Sequence, residues 1–520
     1  MSRAGWFIRT TAMIVVVTMV SRVLGFLRSV FITDKFGLSM ETDAYFFALN
    51  IPNTLFLVIP GAISAVLIPT LKGFMGEAQL AARDRLFHQA ATWTALGCLL
   101  LTAAGMIWAQ EVIRVLAPDF SPDKQLLTAD MLRIMMPSVF FTGMIAILSA
   151  LLNAHEDFFA TSVGPVLNNL IVIASIFLLT PWLGVEGIAW GTSAGFGLFA
   201  LYLLLPTLRR FKYTLRVNFR VRGERTLIGM GERFVPVMFG TAVSQAYLFL
   251  EKILAGGLGD AKISALSLGF TLVQLPIAVF FGALAVPLFP LLSDRVKQGR
   301  MDDMKAVLAK GFLYPYHVLL PTTVGLILLA EPFVRAFFDH GGQFDAEDAR
   351  LTAWAVIFYA AGMVGWAGRD LLIRASYAIE NTRTPVAIGI VSTAAALGLA
   401  FLLMPALDHG GLALAYSLGT YLNMLLQAWF LRRQIGRLFE RGFYLSLAKG
   451  LAGAAGMAAV IQGFHKLLGP AGSLGIPALA LTVAAAAGSY LVLLLLLKEP
   501  AAGEMLTKLT ARKGKGGGSA

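Results

Sequence analysis

Residues 61–71 read Gly61-Ala-Ile-Ser-Ala-Val-Leu-Ile-Pro69-Thr-Leu71, and a similar stretch, Gly282-Ala-Leu-Ala-Val-Pro-Leu-Phe-Pro290-Leu-Leu292, follows 221 residues later. In both stretches a glycine precedes a proline by eight residues. A second pair, Gly187-Ile-Ala-Trp-Gly-Thr-Ser-Ala-Gly195 and Gly411-Leu-Ala-Leu-Ala-Tyr-Ser-Leu-Gly419, is 224 residues apart. Because two unrelated pairs share nearly the same period, the sequence predicts an internal repeat.

The composition around these stretches excludes a set of soluble domains. Of the 520 residues 57% are hydrophobic and only 14% are charged, and the mean hydropathy is +0.74. Apolar runs of about 20 residues, the length that crosses a bilayer, recur along the chain. We therefore predict an all-α polytopic membrane protein with about 14 transmembrane helices. Their ranges are roughly 9–33, 44–72, 86–109, 127–152, 160–180, 184–206, 228–251, 262–292, 305–331, 350–378, 384–404, 410–431, 444–465 and 474–497.

One repeat period contains six of these helices, so the two halves should share one orientation in the membrane. We predict two pseudo-symmetric six-helix lobes, residues 1–210 and 226–434. Two extra helices follow at 442–498, and residues 499–520 are predicted to form a disordered cytoplasmic tail. Two parallel lobes enclose a cleft, and transporters hold their substrates between such repeats.

The net charge of +12 does not require a nucleic-acid partner, because most basic residues lie between the spans. With the N-terminus inside, the inner segments collect roughly 26 Lys and Arg and the outer loops roughly 8. Both termini are therefore predicted to be cytoplasmic. The longest inner segment is the most basic; it either binds anionic lipid headgroups or simply sets the topology. Its basic residues are Arg209, Arg210, Lys212, Arg216, Arg220, Arg222 and Arg225.

The first span contains charged residues that are costly in hydrocarbon and therefore suggest a function. Arg22 and Arg28 flank Gly25, and Ser21 and Ser29 lie beside them. Two guanidinium groups with neighbouring hydroxyls suit the capture of a phosphate or pyrophosphate. The alternatives are a salt bridge to another helix, or an Arg28 side chain that extends to the membrane surface.

The tenth span contains a second group of charges, Arg369, Asp370 and Arg374. Asp370 and Arg374 are four residues apart, so we expect them to neutralise each other along the helix. Arg369 would then be available to the cleft as a further substrate-binding residue.

Prolines and glycines recur at equivalent places in spans two and eight. Proline removes a helical hydrogen bond and bends the helix. We therefore predict hinges at Pro52, Pro60, Gly61, Pro276 and Gly282, although such kinks also serve static packing.

Signatures of catalysis are absent from the sequence. There is no nucleophile elbow, no zinc-protease motif and no phosphate-binding loop. The single cysteine, Cys98, and six scattered histidines give no metal-ligand spacing. We predict no enzyme activity, no cofactor and no metal. A lipid-modifying enzyme remains the alternative, with acid–histidine groups at His155-Glu156-Asp157 and at Asp339-His340, Asp345, Glu347 and Asp348.

Several motifs resemble the lipid II flippase family (MurJ or MviN) of the multidrug/oligosaccharidyl-lipid/polysaccharide exporter superfamily. They are Ser21-Arg22-Val-Leu-Gly25-Phe-Leu-Arg28, Thr42-Asp43-Ala44-Tyr45-Phe46, Pro52-Asn53 with Gly61-Ala62, and Asn381-Thr-Arg383-Thr-Pro385-Val386. The resemblance covers essentially the whole chain.

The resemblance implies a function and a set of residues. Such a protein moves lipid II, a polyprenyl-pyrophosphate-linked peptidoglycan precursor, to the outer leaflet of the bacterial cytoplasmic membrane by alternating access. Arg22, Arg28 and Ser21 match the family's cavity residues, and Asp43 matches an acidic residue near the outer gate. Asp370 is a further gate or coupling candidate. The last two helices would form a groove for the polyprenyl tail.

Three departures from the family pattern make the expected cavity less cationic. Ser29 stands where the family usually has aspartate, Phe56 and Leu57 where it has an arginine pair, and the stretch before Pro276 lacks an arginine. The open alternatives are a flippase for another polyprenyl-pyrophosphate-linked glycan and a drug or cation antiporter. We expect the protein to act as a monomer in the bilayer, with a cell-wall synthesis complex as a further option.

Overall fold

A computed structural model describes residues 3–74, 76, 79–214, 216–220, 225–468 and 475–500. The predicted tail lies almost wholly outside the described residues, as do Arg222 and the side chain of Arg225. The chain forms two compact units. Unit 1 comprises Met1–Ser264 with Gly342–Phe344, and unit 2 comprises Ala265–Gly341 with Asp345–Ala520.

Unit 1 contains ten helices within its described residues. They are α1 (Arg3–Phe36), α2 (Met40–Gly73), α3 (Leu80–Ile107), α4 (Ala109–Leu116), α5 (Pro122–Met135), α6 (Pro137–Ala154), α7 (Phe158–Leu178), α8 (Thr180–Leu183), α9 (Glu186–Arg209) and α10 (Arg225–Gly256). Local signals fix several starts. A capping box of Ser39 and Thr42 begins α2, Ser121 caps α5, and Asp157 caps α7.

Unit 2 holds the remaining helices of the described chain, apart from the first turn of α11. They are α11 (Lys262–Pro276), a π-helical turn (Ile277–Phe281), α12 (Gly282–Lys297), α13 (Met301–Leu328), α14 (Ala330–Phe338), α15 (Ala346–Ala361), α16 (Met363–Ala378), α17 (Arg383–Leu407), α18 (His409–Ile435), α19 (Arg441–Leu468) and α20 (Ile476–Leu496). The consecutive helices α15 and α16 meet at an angle of 42°.

The predicted fold class is confirmed. Among the described residues, twelve helices are long and apolar enough to cross a membrane, or thirteen with the bent pair α15–α16. The predicted span at 410–431 corresponds to α18, which has 27 residues but is less apolar. The extra length of α2, α5–α6 and α13 beyond a bilayer thickness lets them tilt or extend into the interface.

The repeat is present in the packing of both units. Ser193 of α9 donates to the carbonyl of Ile134, and Ser417 of α18 donates to that of Phe358, in each case across 59 residues. A Cβ on Gly187 or on Gly411 would collide with the backbone of the preceding helix. Small residues therefore let α9 approach α7–α8, and α18 approach α17, in the same way.

Two turns at equivalent positions of the repeat have the same backbone conformation. Glu156, between α6 and α7, and Glu380, between α16 and α17, both have a φ of 62°. The amide of Glu156 donates to the carbonyl of Asn153, and that of Glu380 to the carbonyl of Tyr377. A left-handed residue that closes a helix is the common C-terminal motif, here formed without glycine. The two turns are thus equivalent in backbone geometry.

Residues 342–344 belong to unit 1 because they bind the end of α1. The amide of Gln343 donates to the carbonyl oxygen of Asp34 at 2.7 Å. A Cβ on Gly342 would lie 2.0 Å from that oxygen, so this close approach requires glycine.

The compact units and the sequence repeat assign helix α10 to different halves of the chain. Helix α10 packs along α2, and Asn50 of α2 donates to the carbonyl of Phe249. The repeat instead makes α10 the first helix of the second lobe. The lobe boundaries of 1–210 and 226–434 therefore remain a prediction.

Candidate functional site

Helix α1 carries the two arginines of the predicted phosphate site. Arg22 is exposed and Arg28 is half-buried, six residues further along the same helix. That spacing gives about 9 Å of rise and about 120° of rotation, so the two guanidinium groups leave the helix in different directions. Among the described residues, no hydrogen-bond partner reaches the buried Nε atom of Arg28. A buried donor of this kind is costly unless a ligand or water satisfies it.

The small residues of α1 face a neighbouring helix of unit 1. Asn169 of α7 donates through Nδ2 to the carbonyl of Ser21 at 3.0 Å, and its amide group lies against Gly25. Ser29 is buried and donates to the carbonyl of Gly25 at 3.3 Å. Ser21 and Gly25 thus seat α1 on α7, and Arg28, seven residues after Ser21, leaves α1 close to the same side.

Helix α16 corrects one expectation about intramembrane charge. The prediction that Asp370 pairs with Arg374 and leaves Arg369 available is wrong. Instead, Nε and Nη2 of Arg369 both donate to Oδ1 of Asp370, at 3.1 and 3.0 Å. Adjacent residues form this pair because the long arginine side chain folds back toward its neighbour. Arg369 is consequently neutralised within its own helix.

A buried ion pair lies at the start of α2. The carboxylate of Asp43 is 0% exposed, and the ammonium of Lys124, on a side chain 3% exposed, donates to its Oδ2 at 3.0 Å. Ser264, in the first turn of α11, donates to Oδ1 through its amide at 2.8 Å and its hydroxyl at 2.6 Å. Lys124 also binds the exposed Asp260 at 2.7 Å. We call these four residues the Asp43 clamp.

The Asp43 clamp joins the beginnings of three helices, α2, α5 and α11. Sequence reasoning found Asp43 but missed Lys124 and Ser264. Lys124 follows Pro122 and Asp123 in what reads as an ordinary polar loop, so nothing local marks it as buried. Glu251 and Lys252 form another buried pair in unit 1, with 3.8 Å between Lys252 Nζ and Glu251 Oε2.

The predicted hinge residues have two different local structures. Helix α2 continues without interruption through Pro52 and Pro60, and a Cβ on Gly61 would meet only the Thr241 side chain at 3.5 Å. Pro276, in contrast, ends α11 and is followed by the π-helical turn, after which Gly282 begins α12. A π-helical segment inside a helix is often a functional bend.

Unit 2 contains a buried polar cluster that the sequence did not reveal. His317 of α13 lies between the hydroxyls of Tyr490, 3.2 Å from Nδ1, and Ser446, 3.0 Å from Nε2. Ser446 donates to the carboxylate of Glu499, and Lys449 lies 3.7 Å from the same carboxylate. The cluster fastens α19 and α20 to α13, because its members come from all three helices and from the residues just after α20.

The acid–histidine groups of the enzyme alternative serve local structure. Asp157 caps α7 and pairs with Arg210, while the Nε2 atom of His155 lies 3.2 Å from the hydroxyl of Tyr213. Burial, together with the charge of Arg83, lowers the pKa of His155 below its ordinary value of 6.5. Burial raises the pKa of the Tyr213 phenol to about 12. In the loop before α15, Asp345 accepts hydrogen bonds from the amides of Glu347 and Asp348 and caps the helix.

Apolar contacts occupy the places where the sequence lacks arginines. Phe56 of α2 packs edge-on against Phe196, with 5.0 Å between the ring centroids. Phe270 of α11 stacks on Trp366 at 5.5 Å, beside Arg369. Aromatic contacts therefore replace cationic groups at both positions.

Comparisons with known proteins identify relatives along most of the chain. Residues 32–482 match the family model described as "Lipid II flippase MurJ". The chain is 29% identical over 483 residues to a probable lipid II flippase MurJ of Bdellovibrio bacteriovorus, covering 90% of each chain. It is 28% identical over 428 residues to the lipid II flippase MurJ of Burkholderia cenocepacia, covering 80% of this chain and 82% of the relative.

A comparison of folds gives the same result. A solved structure of lipid II flippase MurJ in an inward closed conformation superimposes with a TM-score of 0.80 at 21% identity, covering 92% of this chain and 97% of the other. With its many apolar helices, the chain is a multi-pass protein of the inner membrane, whose substrate is linked to lipid. The match of the family model over most of the sequence places the chain in the MurJ family of lipid II flippases.

Proposed function

We propose that this chain carries lipid II from the inner to the outer leaflet of the cytoplasmic membrane by alternating access. It would act as a transporter, with no chemical conversion of the cargo. The observation that carries the proposal is the cationic helix α1, in which Arg28 has a buried Nε donor without a hydrogen-bond partner among the described residues. A pyrophosphate supplies the acceptors that such a donor needs.

The proposed headgroup site consists of Arg22 and Arg28. Guanidinium groups bind phosphate oxygens through two parallel hydrogen bonds, which fixes orientation as well as adding affinity. Because the two side chains diverge from α1, they suit an extended pyrophosphate–sugar group better than one isolated phosphate. Ser21 and Gly25 would hold α1 in place through α7, and Arg369 would contribute less because Asp370 neutralises it.

The proposed orientation has both termini in the cytoplasm, as the distribution of basic residues favours. Helices α2, α5 and α11 would then begin at the outer face, where the Asp43 clamp joins them. We propose that the clamp holds the outer side closed and opens when the cargo is released. Asp43 is fully buried with two partners, so opening would require those contacts to be exchanged for others.

The energy for transport would come from outside the chain, since the sequence has no ATP-binding motif. The membrane potential acts on charged groups with about 2.3 kcal/mol per elementary charge per 100 mV. A pyrophosphate cargo and the arginines that bind it could both respond to that field. We propose a monomer as the working unit.

A second cargo is favoured by one specific observation. Phe56 packs against Phe196 and Leu57 is 49% exposed, where the resemblance leads us to expect an arginine pair. Another polyprenyl-pyrophosphate-linked glycan with fewer anionic groups would fit such a site. A drug or cation antiporter is disfavoured, because Asp43 and Asp370 both have cationic partners.

Depletion of the protein in its host tests both cargo and site. The amount of lipid II at the outer face would be measured with a probe that cannot cross the membrane. Arg22→Ala and Arg28→Ala would be compared with Arg133→Ala, an arginine already paired with Asp130 at 2.6 Å. We expect outer lipid II to fall on depletion, with rescue by wild type and Arg133→Ala but not by the α1 variants.

Other outcomes would change the proposal. Unchanged outer lipid II after depletion would exclude lipid II as the sole cargo and favour the other glycan. Full rescue by both α1 variants, with lipid II lost on depletion, would retain the flippase and reject the arginine site.

A further inference from the structure

An apolar cavity lies within unit 1, away from the α1 arginines. It occupies about 680 Å³ between α2, α3, α6 and α10. Its lining includes Ile63, Leu67, Trp93, Gly97, Phe234 and Met238, with Thr94 and Cys98 as the polar or weakly polar members. A volume of this size is in the range of ligand sites, about 300–1,000 Å³. Such a lining suits a hydrocarbon chain and offers almost nothing to a soluble anion.

The described part of the basic segment, residues 209–214 and 216–220, is fixed beside this cavity. The amide of Asn218 donates to the hydroxyl of Thr92 at 2.9 Å, and Gln89 donates to the carbonyl of Arg220 at 2.7 Å. Trp93, which lines the cavity, packs edge-on against Phe219 of the segment with 5.9 Å between ring centroids. The segment and the cavity therefore share the third and fourth turns of α3 as a common wall.

The surface of the basic segment combines charge with apolar exposure. Arg216 and Arg220 are exposed, and between them Val217 is 76% and Phe219 56% exposed. Exposed apolar side chains flanked by arginines suit a segment that lies at the headgroup level of a membrane. Anionic phospholipids attract such a segment by about 1 kcal/mol per basic residue.

We propose that the cavity and the basic segment together bind an anionic phospholipid. An acyl chain would occupy the cavity, and the phosphate would contact Arg216 and Arg220. Charge complementarity selects this occupant, because the basic segment borders one end of a cavity that is otherwise apolar. The sequence offered anionic lipid binding or topology as alternatives for this segment, and the adjoining cavity favours lipid binding. The proposal does not depend on which cargo the transporter carries.

Quenching of Trp93 by brominated lipids provides a direct test. The full chain would be reconstituted into phosphatidylcholine vesicles containing dibromo-phosphatidylglycerol or, separately, dibromo-phosphatidylcholine. The contribution of Trp93 is the difference between each protein and its Trp93→Phe counterpart. We expect half-quenching by the anionic lipid at about a thirtieth of the mole fraction that the neutral lipid requires, given two basic contacts.

Two variants separate the headgroup from the chain. Arg216→Gln with Arg220→Gln should abolish the preference for the anionic lipid, whereas Arg295→Gln with Lys297→Gln, on α12, should preserve it. Gly97→Leu should weaken quenching by either lipid, because its side chain would project into the cavity beside Trp93. Gly398→Leu is the matched control; like Gly97, Gly398 is exposed on a helix and has no atom within 4 Å of an added Cβ.

Three results would overturn the proposal. Equal quenching by the two lipids would mean that the cavity admits bulk lipid without selection. An anionic preference that survives in the Arg216→Gln, Arg220→Gln protein would remove the headgroup contact. Relief of the quenching by undecaprenyl pyrophosphate added in amounts equimolar with the protein would assign the cavity to a polyprenyl chain instead.

Discussion

Helices α2 and α11–α12 are equivalent by the sequence repeat, yet their backbones differ. Helix α2 runs unbroken for 34 residues through three prolines. In the second copy, α11 ends at Pro276, a π-helical segment of five residues follows, and α12 begins at Gly282. The same glycine–proline pattern thus accompanies an uninterrupted α-helix in one copy and a π-helical segment in the other. The position of a proline alone therefore does not determine whether the α-helical hydrogen-bonding pattern is interrupted.

The first turns of α2 and α11, in contrast, are connected, because both contribute residues to the Asp43 clamp. Asp43 is in the first turn of α2 and Ser264 in the first turn of α11. The first turns of the two helices are therefore joined, while the π-helical segment lies only in the second copy. If transport changes the conformation of these helices, the angle between α11 and α12 should change more than the angle between the two ends of α2.

Breaking the clamp should have the largest effect. Asp43→Ala leaves Lys124 buried with one exposed partner, and removing one member of a buried pair costs about 3–5 kcal/mol. We expect a loss of about 3 kcal/mol in the free energy of unfolding in detergent, at the lower end because Asp260 stays on Lys124. Asp260→Asn, which removes the exposed partner, should cost less than about 1 kcal/mol. Similar costs for the two variants would contradict the clamp.

The two halves of the repeat also differ in the pairing of their arginines. Arg28→Gln removes an arginine whose buried Nε has no hydrogen-bond partner among the described residues, whereas Arg369 has Asp370. We expect Arg28→Gln to weaken binding of undecaprenyl pyrophosphate by about tenfold to a hundredfold, as for loss of hydrogen bonds to a charged group. The neutral double variant Arg369→Gln, Asp370→Asn should change it by less than about threefold. Calorimetric titration of the detergent-solubilised chain measures both, and a reversed order would reject the assignment of the site to α1.

The role of the π-helical segment is tested by removing the proline before it. Pro276→Ala restores an amide donor and should favour continuous α-helix, which would slow transport by about tenfold, or about 1.4 kcal/mol in the barrier. Pro60→Ala, in the copy that is already continuous, should change the rate by less than about twofold. Translocation of a fluorescent lipid II analogue in vesicles gives both rates. A larger effect from Pro60→Ala would place the moving part in α2.

The smallest effect should come from the turns that the two halves share. Glu156 and Glu380 both have a φ of 62°, where glycine is free of the steric cost of a side chain. Each Glu→Gly substitution should stabilise the fold by at most about 1 kcal/mol, and by the same amount in both turns, because the backbone geometry is the same. Thermal unfolding of the two variants decides this. Opposite signs would mean that side-chain contacts such as Lys72 with Glu156, 3.9 Å apart, outweigh the backbone.

The fold class could be predicted from the sequence because it depends on the hydrophobicity and the repeat period of the whole chain, and not on single contacts. Hydrocarbon requires long apolar helices, and a shared period of 221–224 residues requires two equivalent halves. The candidate arginines of α1 were also readable, since a charge in the middle of an apolar run stands out against its surroundings. The equivalent turns at Glu156 and Glu380 were not, because neither contains the glycine that would mark a left-handed residue.

Pairings between distant residues were decided only by the tertiary structure. Whether Asp370 neutralises Arg369 or Arg374 depends on side-chain directions that spacing does not specify. Lys124 and Ser264 reach Asp43 across 81 and 221 residues, and His317 reaches Ser446 across 129. No local pattern marks such partners, because burial is a property of the packed helices and not of the residue. The sequence alone determined the membrane fold, the repeat and the cationic first helix. The packing determined which charges are paired and which copy of the repeated helix contains the π-helical segment.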